Sequence, residues 1–425
     1  MTDTTYQDFN INIKNKKYDK KTLSFELSGH ETYGLDKSIV NGIRRSLLMN
    51  IETCAIKETD VIINKNKTAL HNEFLKHRIS LIPLYINPNS NDKYLLFKLK
   101  VKCDDADIKN ITVDMFDVYR LNKESLHQLK IQEDMDYIPD KDNIELLLKE
   151  VNTQYYDTDK PLSDKEKEDI FRPFKFNKMS SYFLLTELKK LDSDEDFEEL
   201  ELYCITSVGT GQIHSQYNNI PTAVYTFKRD EKMFAKVLKD KIQINKIKDV
   251  EKYSRELYLS ESERYFHRDN QNEPYWYTFT ITSNHFKDSK ELFIESIDKL
   301  IQNLENIGFN LKNMIDEESD EEYYKFENVK ENIYKIILQN ENDTMGNIIQ
   351  SHICNKFISK ETIVQFCGYK RPHPLKNEIF FKVMIKQNEH RENQRKNLIV
   401  GFFNNAIKDL VEIFTMIKNK ANKQL

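Results

Sequence analysis

A chain of 425 residues has room for about two or three domains, and its net charge of -5, with a pI of about 6.1, leaves no overall basic field to grip nucleic acid through phosphates. Apolar residues make up 39% and charged residues 31%, but 25 Phe and 22 Tyr supply large buriable surfaces and exclude the disordered class. The five cysteines (Cys54, Cys103, Cys204, Cys354, Cys367) lack CxxC spacing, and neither a signal peptide nor a membrane-length apolar run is visible, so a reduced, intracellular protein is expected.

In chain order, residues 11–29 (INIKNKKYDKKTLSFELSG) predict a β-hairpin about a charged turn at 15–20. From Leu35 onward, Ile39, Val40, Ile43 and Leu47 fall at helical spacing and form a core stripe, with Asn41, Arg44 and Arg45 on the other side. Residues 53–63 predict a strand, followed by an Asn/Lys turn at 64–67. A second helix carries Phe74, Leu75, Ile79 and Ile82, with His71, Glu73, His77 and Arg78 around it and Pro83 as its end.

Beyond Pro83 an inserted, mainly β domain is expected over 84–221. It has strands at 94–103 and 111–119 and an irregular charged stretch at 123–169. Its acidic piece at 192–201 reads as a solvated helix start or loop rather than a docking site. The GxG within GTGQIHSQY (209–217) lacks the third Gly and the strand-turn-helix frame of a phosphate cradle. A strand at 223–227, a charged stretch without clear period at 230–272 and a strong strand at 275–281 follow. A helix at 288–307 then places Phe293, Ile297, Leu300, Ile301 and Leu304 on one stripe, with Gly308 as its stop.

Six of the seven residues at 316–322 are acidic, which marks 308–325 as an extended linker. After it come a strand at 332–338, a capped helix within ENDTMGNIIQSHI (341–353) begun by Asp343 or Thr344, and two strands within 363–385. Pro372 and Pro374 hold His373 extended between those strands. Residues 397–418 are nearly apolar all round, which predicts a helix buried in a bundle.

NGIRRSLL (41–48) followed by LHNEFLKHRISLIPL (70–84) resembles the signature of alpha-like assembly subunits of multisubunit RNA polymerases, of the third-subunit type. Gly209, Gly211, His214 and Pro221 match that type's GxGxxHxxxxP region. The second half resembles the eleventh-subunit type through Glu341, Asp343, Thr344, Gly346, Asn347 and Ile349, then Gly368, Tyr369, Pro372, His373, Pro374 and Leu375. It departs at Asn342, where that type has an acidic residue. An offset of 306 superposes Asn41 on Asn347, Ile43 on Ile349 and Leu47 on Ile353, as two halves of a pseudo-twofold dimer would.

The resemblance implies an α+β fold in which two alpha-like dimerisation modules form an intramolecular pseudo-dimer, with the inserted domain in the first. The expected domains are 1–83 with 222–307, the insertion 84–221, the linker 308–325 and the second module 326–425. Dimerisation would use Ile39, Ile43, Leu47, Ile297, Leu300, Leu304, Ile348, Ile349, Phe402 and Leu410. Partner contacts with the β-like (second-largest) and β′-like (largest) subunits, and with small accessory subunits, would use Asn41, Arg44, Arg45, His71, Glu73, His77 and Arg78. Asp343, Thr344, Gly346, Asn347, Gly368, Tyr369, His373 and Pro374 form the second module's assembly motif. Such fusions are features of polymerases of large cytoplasmic DNA viruses, which the Asn/Lys-rich composition suits. Host cytoplasm or virion is then expected, or the nucleus for a cellular eukaryotic subunit.

No catalytic, cofactor or metal residues are expected. The third-type zinc or iron-sulfur cysteines have no counterpart beyond Cys103 and Cys204, and His71, His77, His214 and His373 read as structural. The function expected is a noncatalytic assembly platform of a DNA-directed RNA polymerase. The alternatives are a stand-alone α+β enzyme, which lacks a visible cofactor site, and a nucleic-acid-binding adaptor, which the acidic balance opposes.

Overall fold

The computed structural model describes residues 12–30, 35–103, 108–121, 161–177, 179–190, 198–284, 286–314, 324–330, 332–358, 362–386 and 392–425. The acidic run at 316–322, residues 192–197 of the acidic piece at 192–201 and residues 123–160 of the stretch expected to be irregular to 169 lie outside the described residues. The rest of the acidic piece enters a strand, Glu199–Thr210, instead of a helix start or loop, and the rest of the irregular stretch enters a helix, Asp164–Phe171. Two compact units form: Met1–Leu48 with Thr222–Thr282 and Asp288–Leu425, and Met49–Pro221 with Ser283–Lys287.

In the first unit, β1 (Asn12–Asp19) and β2 (Thr22–Ser28) make a hairpin whose register pairs Asp19 with Thr22. The turn is therefore the tight Lys20-Lys21 pair rather than the broad turn expected at 15–20. The Asp19 carboxylate accepts from the backbone N–H of Lys21 and Thr22, which closes it. Helix α1 (Lys37–Met49) follows the hairpin.

The chain re-enters the unit at β11 (Thr222–Phe227), then α4 (Glu231–Asn245), α5 (Val250–Glu261), β12 (Trp276–Thr282) and α6 (Ser289–Asn313). The stretch at 230–272 is thus largely helical, and both helices are capped by aspartates, Asp230 and Asp249. Its period is faint because little of either helix is buried: Phe234 in α4 and Leu257 in α5. All strands in the sheet are antiparallel, in the order β1-β2-β12-β11. Phe25 of β2, Phe279 of β12 and Phe293 of α6 join the sheet to its helix through ring contacts at 4.9 to 5.9 Å.

Helix α6 runs through Gly308 to Asn313, contrary to the stop expected there. A Cβ at Gly308 would lie 3.3 Å from the Asn404 Oδ1 and 3.5 Å from the Ile407 Cγ2 of another helix, so this glycine serves close helix packing instead of termination.

The remainder of the unit is β13 (Tyr324–Lys330), β14 (Ile333–Gln339), α7 (Asp343–His352), a π turn (Ile353–Phe357), β15 (Val364–Lys370), β16 (Glu378–Ile385) and α8 (Glu392–Gln424). Strand β13 starts at Tyr324, inside the span expected to be linker, because it pairs with β14. The second antiparallel sheet runs β13-β14-β16-β15. The order hairpin, helix, strand, strand, helix therefore occurs twice in this unit, each time with the hairpin's second strand beside the last strand. The first copy is β1-β2-α1-β11-β12-α6, interrupted after α1 and before β12, and the second is β13-β14-α7-β15-β16-α8.

Helix α8 is amphipathic rather than apolar all round. Ile399, Phe403, Leu410, Phe414 and Ile417 are buried, while Gly401, Asn405, Lys408 and Glu412 are exposed. The expected core residue Phe402 is half-buried, and its neighbour Phe403 is the one fully inside, 5.3 Å from the Phe381 ring.

The second unit contains β3 (Glu52–Asn66), which extends through the turn expected at 64–67 because it pairs with β10 (Glu199–Thr210) as far as Asn66. That pairing also draws 49–83 into this unit, so the boundary falls at Met49 rather than at Leu84. The sheet order is β3-β10-β4-β6, with β4 (Leu95–Lys102) and β6 (Asp117–Arg120). The strand expected at 111–119 is two strands, β5 (Ile108–Thr112) and β6, split by a 3-10 turn at Val113–Met115. Helix α2 (Asn72–Ser80) ends three residues before Pro83, and α3 (Asp164–Phe171) begins with a Ser163/Glu166 capping box. Two short pairs complete the unit: β5 with β9 (Leu184–Lys189), and β7 (Phe174–Phe176) with β8 (Met179–Ser181).

Gly209 sits within β10, where a Cβ would lie 2.6 Å from the buried Tyr217 ring, whose hydroxyl is 2.8 Å from Ser207 Oγ. This glycine accommodates a ring. His214 accepts from the Gln216 N–H at the head of a 3-10 turn. Among the described residues no helix is long and apolar enough to cross a membrane.

Candidate functional site

The residues singled out in 35–50 and 341–369 meet where α1 crosses α7. Asp36 starts α1: its Oδ1 accepts from the Ser38 N–H at 2.7 Å. Its Oδ2 accepts from Ser351 Oγ at 2.5 Å and Asn355 Nδ2 at 2.9 Å, so one carboxylate begins α1 and ties it to the end of α7. At the crossing point a Cβ on Gly42 would lie 2.5 Å from Ile348 Cδ1, so glycine lets the two helices touch. Ile39, Ile43, Leu47, Ile348 and Ile349 are buried here, as are Ile297, Leu300 and Leu304 of α6 and Leu410 of α8. Helices α6 and α8 run against each other in opposite directions, with Asp298 2.6 Å from Lys418 at one end and Gly308 beside Asn404 toward the other.

The polar face of α1 is partly spent across the crossing. Arg45 Nε donates to Thr344 Oγ1 at 2.7 Å, whereas Arg44 Nε donates to Asn41 Oδ1 at 3.0 Å along its own helix. Neither arginine has a carboxylate partner among the described residues. Both stand at the rim of a cleft or beside it: Ser38, Asn41, Gly42, Arg45, Asp343, Thr344, Asn347 and Tyr369 enclose about 170 Å³.

The start of α7 explains the tolerated departure at 342. The Asn342 side chain accepts from the N–H groups of Thr344 (2.9 Å) and Met345 (3.4 Å), so it is the N-cap itself, and the helix starts one residue later. Gly346 is held against Tyr369, where a Cβ would be 2.6 Å from the ring. Asp343 lies 3.6 Å from Arg371, while Gly368 backs onto the Phe366 ring. His373 lies in the β15–β16 turn and accepts from the Leu375 N–H at 3.1 Å; next to Pro374, Leu375 is 90% exposed.

Two carboxyls in this half are moved by burial. Glu341, which accepts from the Tyr324 hydroxyl at 3.3 Å, is pushed up to about 7. Its folded value exceeds its unfolded one, so its contribution is present below about 4.5 and is lost as pH rises through 7. Glu341→Gln, which keeps the acceptor oxygen, is expected to stabilise the chain by about 3 kcal/mol at pH 8 and by nothing at pH 4. Urea midpoints at the two pH values decide this, and equal shifts at both would contradict it. Deeper inside, His352 Nε2 and Asp409 Oδ2 are 2.5 Å apart and nearly inaccessible.

The other four expected contact residues lie in the second unit. His71 and Glu73 are 3.2 Å apart and almost wholly exposed, and His77 is exposed on the same helix. Arg78 is engaged within its own unit: Nη2 donates to the Leu184 carbonyl at 2.7 Å, and the guanidinium lies 5.9 Å from the Phe183 ring centre. Cys103 and Cys204 are buried in the apolar core of the second unit, and among the described residues no three His, Cys, Asp or Glu side chains converge as metal ligands.

Sequence reasoning missed Asp36, Ser38 and Asp409. Asp36 carried a signal, an Asp immediately before an apolar-periodic run. Asp409 did too, as a carboxylate beside Leu410 within an apolar stripe.

Residues 334–420 match the RNA polymerase Rpb3/Rpb11 dimerisation domain. The chain is 33% identical over 109 residues to DNA-directed RNA polymerases I and III subunit rpac1 of Dictyostelium discoideum, covering 23% of this chain and 29% of that protein. It is 32% identical over 115 residues to DNA-directed RNA polymerase subunit Rpo3 of Methanosphaera stadtmanae, covering 24% of this chain and 39% of that one. It is also 45% identical over 51 residues to the probable DNA-directed RNA polymerases I and III subunit RPAC2 of Caenorhabditis briggsae, covering 12% and 32%. The chain thus spans less than two fifths of the length of each of these relatives.

Proposed function

We propose that this chain is a noncatalytic, alpha-like assembly subunit of a DNA-directed RNA polymerase, in which a third-type and an eleventh-type module are fused and pair within one molecule. The observation that carries the reading is the repeated order of hairpin, helix, strand, strand, helix. The matched residues 334–420 fall on the second copy, and the first copy has the same strand order. Similarity to two differently named subunits, RPAC2 and rpac1, supports the same reading.

The crossing of α1 and α7 supports pairing about a pseudo-twofold axis. With an offset of 306, the counterpart of Gly42 is Ile348, and these two residues touch each other. A residue meeting its own counterpart is the mark of an isologous contact. The buried helix faces then serve the internal pairing, while Arg44, Arg45 and Asn41 are left for a large catalytic subunit, and the exposed α2 residues His71, Glu73 and His77 for a second contact. Covalent linkage makes the pairing intramolecular and so independent of chain concentration. The viral setting, with host cytoplasm or virion as its location, belongs to this proposal as the source that suits a fused pair.

Cleavage at a protease site inserted between Met314 and Tyr324 tests the pairing. The two fragments are expected to co-elute on a sizing column at micromolar concentration. Separate elution would remove the pseudo-dimer from the proposal.

A further inference from the structure

The cleft over the α1–α7 crossing contains an unspent polar group. Ser38 is 4% exposed, and its Oγ has no hydrogen-bond partner although it belongs to the cleft lining. A buried hydroxyl left unpaired costs free energy unless a ligand completes it. Around it the lining is rich in donors. Arg45 is oriented by its Nε bond to Thr344, which leaves both Nη groups without a carboxylate among the described residues. The Asn41 oxygen is taken by Arg44, so its amide N–H groups remain to donate, and Asn347 is exposed on the facing helix. The one carboxylate in the lining, Asp343, is directed to Arg371 at 3.6 Å.

We propose that this cleft seats a single carboxylate side chain, an Asp or Glu of a partner polypeptide, accepting from Ser38 Oγ, Arg45 and the two asparagine amides. A phosphate suits it poorly: with Asp343 directed to Arg371, Arg45 leaves the cleft a single positive charge, which matches one carboxylate and not a dianion, and the whole chain carries -5. Because α1 supplies Ser38, Asn41 and Arg45 and α7 supplies Thr344 and Asn347, the seat is complete only where both helices are in place. This rests on the assembly reading above and gives that reading its contact chemistry.

The test uses the full chain, tagged and purified from its source cells. Wild type is expected to bring down a large polymerase subunit. Ser38→Ala is expected to reduce recovery about tenfold and Arg45→Gln about a hundredfold, as loss of charge-assisted hydrogen bonds predicts. In the free chain Ser38→Ala is expected to leave the thermal midpoint equal or raised, since it deletes an unsatisfied hydroxyl. A merely structural Ser38 would lower midpoint and recovery together. A photo-crosslinking residue at position 347 is expected to mark an acidic segment of the partner, and amidating that carboxylate should cost far less in the Arg45→Gln background than in wild type, because the charge-assisted contact is already gone there. Undiminished recovery with both variants, or a crosslink to a segment without Asp or Glu, overturns the carboxylate seat and leaves the assembly reading standing. A wild-type chain that recovers no polymerase subunit overturns both.

Discussion

Gly42→Ile is expected to destabilise the chain by about 3 kcal/mol, and adding Ile348→Gly is expected to restore all but about 1 kcal/mol of it. The first substitution drives a branched side chain into Ile348, whose Cδ1 lies 2.5 Å and Cγ1 3.3 Å from the position of the new Cβ. Ile348 is fully buried, and turning its terminal methyl clears a lone Cβ but not a whole branched side chain, so α1 and α7 must separate. Gly42→Ala is much milder: a terminal methyl can rotate away, and alanine gains about 1 kcal/mol of helix propensity over glycine. The exchange is informative because a residue and its counterpart at a pseudo-twofold axis occupy equivalent surroundings, so swapping them conserves volume and shape. Urea denaturation of the two single variants and the double variant supplies the coupling. Additive losses, with the double variant the worst of the three, would remove the pseudo-axis from this crossing.

What the sequence made legible follows burial. Ile39, Ile43 and Leu47 were readable as a stripe because one face of α1 is inside. The strand at 275–281 was readable because Tyr277, Phe279 and Ile281 alternate in the centre of a sheet. Helices α4 and α5 were not readable, since a helix that buries little writes no period into its residues. Gly308 misled because a glycine late in an apolar helix has two uses, ending the helix or letting another helix approach, and the local sequence is the same for both. The unit boundary at Met49 depends on β3 pairing with β10, two strands over a hundred residues apart, and such a pairing leaves no local mark. At the candidate site the motif residues were identifiable one by one. That Arg45 would reach Thr344, and that Ser38 would be left unpaired, depends on the crossing of two helices 306 residues apart.

Asp409→Asn and His352→Gln are expected to change the pH dependence of stability in opposite directions. Burial, reinforced by Lys356, holds His352 down at about 3, and burial, reinforced by Glu412, pushes Asp409 up to about 7. Asp36 acts on His352 in the opposite sense, as the lesser influence. Between about pH 4 and 6.5 the folded pair holds one proton, on the carboxyl, and the unfolded pair also holds one, on the imidazole, so wild type gains no slope from it. Asp409→Asn leaves a histidine that is neutral when folded and charged when unfolded. Its folded value is depressed, so its contribution is present above 6.5 and is lost toward acid, at about 1.4 kcal/mol per pH unit. His352→Gln leaves a carboxyl protonated when folded and ionised when unfolded. Its folded value is raised, so the contribution is present below about 4 and is lost as pH rises to 7, a total of about 4 kcal/mol. At pH 7 the second variant is therefore the weaker of the two, and at pH 4.5 their order reverses. Urea midpoints at pH 4.5, 5.5 and 7 for the three proteins resolve the slopes. Parallel slopes in both variants would mean that the ring and the carboxyl exchange no proton on folding and that the 2.5 Å contact joins a charged pair.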